Sequence, residues 1–76
     1  MGLSIRINGS KLTQARINKG LSLDEVATKL GVKHRSTISR WEREEMVPRK
    51  KHIEKLVEIM DTEDFLPEGV SVRRGK

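Results

Sequence analysis

The chain has no cysteine and no tyrosine, only one tryptophan and one phenylalanine, and fewer acidic than basic residues. Without cysteine there is no disulfide frame and no thiolate zinc site, and the cytoplasm is the expected compartment. No apolar run exceeds a few residues, so no segment is long enough to span a membrane, and the opening "MGLSIRING" lacks the hydrophobic stretch of a signal peptide. The two histidines, His34 and His52, stand eighteen residues apart with no third ligand nearby, a poor basis for a metal site. No nucleophile–base–acid set and no phosphate-cradling glycine loop is present, so an enzyme is the weakest functional class and no cofactor is expected. Internal repeats and low-complexity tracts are missing too. Seventy-six residues make one domain, near the low end of what folds without covalent staples.

What is present is charge, unevenly placed. Sixteen Lys plus Arg against eleven Asp plus Glu give a net charge of +5, which favours an anionic partner. Residues 33–51 hold seven basic and three acidic side chains, whereas residues 52–68 hold one and six. One end of the molecule is positive and the other negative, as expected if one surface faces phosphate. The single Trp lies inside the positive stretch, in "GVKHRSTISRWEREE" (31–45). That segment is either a solvated helix with an aromatic anchor or a helix that reads a polyanion.

Periodicity divides the chain into short helices. Leu23, Val26, Ala27 and Leu30 fall on one helical face, with a Ser22/Glu25 capping box before them and Gly31 after them. Ile53, Leu56, Val57 and Met60 repeat the spacing after Pro48. Ile38 and Trp41 anchor a short helix from about 36, and Leu12 and Ala15 anchor another over about 10–19, closed by Gly20. A last turn is expected over about 62–66. The ends, "LSIRIN" and "VSVRR", alternate as strands do, and either pair with each other or a second chain or fray. The expected architecture is all-α: a compact bundle of four to five short helices, with possible short terminal strands. Residues 1–9 form an arm or short strand, 10–68 the domain, and 69–76 a tail that is either a natural end or a cut linker. Two helices joined at Gly31 by only a few residues must cross steeply, the helix-turn-helix arrangement.

At this point "KGLSLDEVATKLGV…STISRWERE…P" resembles the phage-repressor helix-turn-helix family, the Cro/C1 or Xre class, with its lambda-repressor-like fold. Ala27 matches the family's small residue on the second helix and Gly31 its turn glycine. Ile38 matches the β-branched core residue of the recognition helix, and Trp41-Glu42 its Trp-Glu pair. The resemblance implies a sequence-specific regulator of transcription, most often a repressor, that inserts the helix around 36–43 into the major groove of double-stranded DNA. Base-reading positions then fall on Arg35, Ser36, Ser39 and Arg40, with Arg40 pointing outward from the core positions and Arg35 either on a base edge or on phosphate or solvent. Phosphate contacts fall on Ser22, Lys33, His34, Thr37, Arg43, Arg49 and Lys50. Ser36 has a second candidate role as the cap of its helix. One helix covers few base pairs, so a homodimer, assembled at least on DNA, is expected on a palindromic operator. Its contact is expected around Phe65 and Leu66, with the terminal strands as the alternative. An antitoxin or phage-switch protein, in which the same domain also grips a protein partner, is the second reading. The acidic C-terminal half and the "EEMVP" loop suit it.

Three departures from the family stand out. Leu23 replaces its usual Gln, Glu44 replaces the Gly after the recognition helix and so removes its left-handed cap, and the span from Gly31 to Ile38 is one residue longer. Independently of any family, extending the apolar stripes of the first and third helices by one position brings Arg16 and Glu42 onto buried faces. A salt bridge between them is expected.

Overall fold

The computed structural model describes residues 6–70. Four α-helices follow one another: α1 (Gly9–Asn18), α2 (Leu23–Leu30), α3 (Arg35–Glu42) and α4 (Lys50–Met60). The bundle is all-α, with no strand among the described residues. Residues 62–66 form a turn rather than a fifth helix, closed by the Leu66 N–H donating to the Glu63 carbonyl at 2.9 Å. The expected terminal strands fall mostly on residues 3–5 and 71–74, outside the described residues; residues 6–8 are irregular.

Each helix begins and ends for a local chemical reason. Asn8 opens α1, its side chain accepting from the Lys11 N–H at 3.0 Å. In α2 the capping box is complete: Ser22 Oγ accepts from the Glu25 N–H at 3.0 Å, and Glu25 Oε1 from the Ser22 N–H at 2.8 Å. These bonds satisfy amides that no intrahelical carbonyl can reach. At the other end of α2, Gly31 turns left-handed at φ 78°, and the Val32 N–H returns to the Ala27 carbonyl at 3.0 Å. That six-residue closure also ends α1, where the Leu21 N–H meets the Arg16 carbonyl.

Helix α3 departs from expectation at both ends. It begins one residue before Ser36, with His34 in the cap position and no side-chain capping bond, so Ser36 lies inside the helix and is not its cap. At the C-terminus the left-handed cap expected to be missing is present, and Glu44 occupies it at φ 61°. The Glu45 N–H closes onto the Arg40 carbonyl at 2.8 Å, as in the glycine-capped helices. A side chain in this conformation carries strain of about 1–2 kcal/mol per residue. Glu44 offsets it with a bond glycine has no group to make: its Oε2 accepts from the Gly9 N–H at 2.8 Å, an otherwise unpaired amide at the start of α1. Gly9 allows the approach, because a Cβ there would overlap the Glu42 carbonyl oxygen.

The core is aliphatic around two aromatic rings. Leu12, Val26, Ile38, Ile53, Leu56, Val57 and Phe65 are fully buried and Trp41 nearly so. Helix α3 packs on α1 and α2, and α4 on α2. Ile7 and Leu66 are also buried, and the Asn8 N–H donates to the Phe65 carbonyl at 2.7 Å, tying the segment before α1 to the turn after α4. The expected dimer contact through Phe65 and Leu66 is therefore corrected: both side chains belong to the core of one chain. Among the described residues, the exposed large hydrophobic side chains are Ile17, Met46 and Val47.

Candidate nucleic-acid interface

The geometry of α3 follows from what it buries. Successive residues turn by about 100° around a helix axis. Fixing Ile38 and Trp41 in the core sends Arg35, Ser36, Ser39 and Arg40 to one continuous arc on the opposite side. Arg35, Ser36 and Arg40 are exposed and Ser39 is half-buried, as is Thr37 at the border with the core. The link from α2 consists of residues 31–34, in which Val32 packs against the core while Lys33 and His34 are exposed. Arg43, Arg49 and Lys50 are exposed beyond the other end of α3. Basic and hydroxyl side chains thus occupy the outward face of α3 and the exposed chain segments on either side of it.

Several of these cations have protein partners. Arg43 lies 3.6 Å from Glu45, and Lys50 4.0 Å from Glu54, both at exposed positions. Arg35 Nη1 lies 3.5 Å from Asp24 Oδ2 on α2, a contact that sequence spacing did not signal. Pairs of this kind are weak in water and exchange readily for another anion. Ser22 is committed to its capping box, its N–H donating to Glu25 and its Oγ accepting from the Glu25 N–H, which leaves its hydroxyl proton to donate outward.

Arg16 and Glu42 are joined behind this face. Arg16 Nε and Nη2 donate to Glu42 Oε2 and Oε1 at 2.7 and 3.2 Å, and Nη1 donates to the Leu21 carbonyl at 3.0 Å. The side chains are only 16% and 9% exposed, so the pair is a bidentate contact inside the α1–α3 junction. Trp41 fills the same side of α3 and meets the imidazole of His52, on α4, at 5.4 Å between ring centres. Burial, then the nearby Lys51 and Arg49 charges, lower the His52 pKa from its ordinary value. His52 is consequently neutral near pH 7.

No three His, Asp or Glu side chains are grouped as metal ligands among the described residues. None of the four helices is long and apolar enough to cross a membrane. A groove of about 470 Å³ lies between α1 and the end of α4, lined partly by Lys11, Gln14, Met60 and Asp64, and includes no residue of α3.

Comparison with solved structures places this geometry among DNA-binding regulators. SinR, described as the master regulator for biofilm formation, in complex with DNA is 36% identical, with a TM-score of 0.63 over 71% of this chain and 86% of that one. The N-terminal DNA-binding domain of SinR from Bacillus subtilis is 32% identical, with a TM-score of 0.67 over 87% and 99%. A SinR protein/SinI protein complex matches at 36% identity and a TM-score of 0.64; there the match covers 71% of this chain and about half, 52%, of the other. None of the curated proteins matches. A helix-turn-helix family model matches residues 12–65, most of the chain and all of the two-helix motif, and the protein belongs to the Cro/C1-type helix-turn-helix family.

Proposed function

We propose that this protein is a cytoplasmic, non-enzymatic repressor of transcription that binds a palindromic operator as a homodimer and inserts α3 into the major groove of each half-site. The observation that carries the reading is the outward arc of α3, where Arg35, Ser36, Ser39 and Arg40 stand opposite Ile38 and Trp41. A major groove admits one helix, and these side chains offer bidentate bonding to guanine O6 and N7 from Arg and single bonds to either kind of edge from Ser. Ser22, Lys33, His34, Thr37, Arg43, Arg49 and Lys50 form the phosphate rim that fixes register. Residues 10–68, with Ile7, Asn8 and Gly9 that seat and cap α1, carry this function. Two copies with recognition helices about one helical turn apart account for a site long enough to be found in a genome.

The test is selection of bound duplexes from a random pool, with the stoichiometry of the complex measured on the winner. An inverted repeat carrying two protein chains is expected. Affinity should fall roughly 10³–10⁵-fold between 50 and 200 mM salt if about six to ten phosphates are neutralised. A single unrepeated half-site holding one chain sinks the dimer, and a binding curve flat in salt sinks the phosphate rim.

A second reading, a switch protein or antitoxin whose domain also grips a protein, is favoured by one feature here and one elsewhere. Met46 and Val47 stand exposed in the loop between α3 and α4, and a relative is known in complex with a second protein.

A further inference from the structure

Asp24 places a negative charge where a DNA-binding surface has least use for one. It lies in the first turn of α2, two residues after Ser22, at the helix end assigned above to phosphate. An acid there suits the helix dipole, and Glu25 next to it is committed to the capping box. The dipole does not account for the direction of Asp24. Its carboxylate reaches across to α3, where Oδ2 lies 3.5 Å from Nη1 of Arg35, the first residue of the recognition helix. With the two side chains 66% and 70% exposed, such a pair does little for stability.

We infer that Asp24 is a specificity-determining positioning residue: it steers the Arg35 guanidinium toward a guanine edge and away from the neighbouring phosphates. The inference rests on the DNA-binding function proposed above. A free arginine at this position has two kinds of acceptor within reach, phosphate oxygens on the rim and base edges in the groove, and the phosphates carry the charge. A carboxylate on Nη1 satisfies one end of the guanidinium and restrains its rotation. It leaves open the Nε–Nη2 edge, whose parallel N–H groups match O6 and N7 of guanine. Arg16 shows the same division of donors within this molecule, with Nη1 anchored on the Leu21 carbonyl and Nε with Nη2 gripping two acceptor oxygens. The Asp24 charge also repels the backbone of every duplex alike, which weakens non-specific binding without touching the specific contact.

The experiment compares the full chain with Asp24→Ala, Asp24→Asn, Arg35→Ala and the Asp24→Ala/Arg35→Ala double variant. Each is titrated against the selected operator, against all substitutions of each of its base pairs, and against an unrelated duplex, over a range of salt. Thermal melting establishes that the variants are folded; Asp24 is exposed and caps nothing. Arg35→Ala should relax one G·C position. Asp24→Ala should bind the unrelated duplex more tightly and steepen the salt slope by about one. It should also lose roughly three- to tenfold discrimination at the Arg35 position alone, a fraction of what a whole bidentate contact supplies. Asp24→Asn, which keeps an acceptor without the charge, should lie between. In the Arg35→Ala background, Asp24→Ala should leave discrimination at that position unchanged. Equal tightening on every sequence with discrimination intact overturns the inference and leaves Asp24 as a repulsive charge only. So does an Arg35→Ala variant that relaxes no position. A wild-type chain that selects no sequence overturns the DNA-binding reading itself, an outcome distinct from both.

Discussion

Removing Arg16 should be among the most damaging single changes this molecule can suffer, and the geometry says why. The guanidinium donates to both oxygens of Glu42 and to the Leu21 carbonyl, so Arg16→Ala leaves three acceptors without their partner at one stroke. Two of them are the oxygens of one carboxylate, on a side chain 9% exposed. Breaking a buried pair by deleting one partner typically costs about 3–5 kcal/mol, chiefly because the remaining charge is stranded. Glu42→Ala should cost less, about 2–4 kcal/mol. Arg16 would keep Leu21 and, being 16% exposed, would reach some water. A domain of this size holds roughly 4–11 kcal/mol in all, and about 3 kcal/mol corresponds to a drop of about 12–24 °C in Tm. Arg16→Met with Glu42→Leu should recover part of the loss, since apolar replacements of similar volume pack without leaving a charge behind. The assay is thermal and urea unfolding followed by circular dichroism, with operator affinity measured on the folded double variant. Normal stability with weak DNA binding would show that the pair orients α3; normal binding would make it structural only. If Arg16→Ala melts within a few degrees of wild type, the pair is hydrated in solution and the reasoning fails.

Other outcomes follow from the same geometry. Arg40→Ala should cost about 1–3 kcal/mol on the preferred site and relax one base pair, whereas Arg43→Ala and Arg49→Ala should weaken all sequences alike; a uniform loss from Arg40→Ala would move it to the phosphate rim. Glu44→Gly relieves a left-handed side chain while losing the Gly9 bond, and should stay within about 1 kcal/mol of wild type. Glu44→Ala loses the bond and keeps the strain, so urea unfolding should find it the less stable by about 1 kcal/mol, and the reverse order would refute the capping role. His52 has a folded-state pKa below the unfolded value, so the unfolded chain binds its proton first as pH falls. Its contribution to stability is complete above pH 6.5 and declines through the folded pKa; Tm should drop from pH 7.5 to 5.5, and His52→Gln should reduce that drop.

The fold was legible wherever an apolar stripe and its end signals agreed. In α2 the stripe, the Ser22/Glu25 box and Gly31 all name the same eight residues. The outward face of α3 was legible for a related reason, since fixing Ile38 and Trp41 in the core fixes every other residue by rotation. The start of α3 was not, because Ser36 has the chemistry of a cap while His34, which holds the position, makes no capping bond. Glu44 misled in a similar way, since its side-chain type argues against a left-handed turn. What permits the turn is a Gly9 amide thirty-five positions earlier in the chain. Phe65 and Leu66 read as a surface contact because they sit in an acidic stretch with no helical stripe around them. They are buried because the segment before α1 returns to bond the Phe65 carbonyl. The Asp24–Arg35 contact depends on how α2 and α3 cross, which spacing along the chain does not specify.

The recognition helix is thus held at its two ends by the same chemistry under different degrees of burial. At its C-terminal end Arg16 and Glu42 form a bidentate pair with little access to water, and the Glu44–Gly9 bond ties the left-handed residue just beyond α3 to the start of α1. Exchange with an outside anion there would first require a largely buried charge to be stranded, so this end serves as a fixed mount. At its N-terminal end Arg35 and Asp24 form a long, exposed contact that solvent can open at little cost. In the reading proposed above, a guanidinium held in that way is available to a base edge and still constrained in direction. Burial alone separates the two roles. Shielding the Asp24–Arg35 pair would withdraw Arg35 from the base contact proposed for it, whereas exposing the Arg16–Glu42 pair would loosen the mount on which the proposed base contacts of α3 depend.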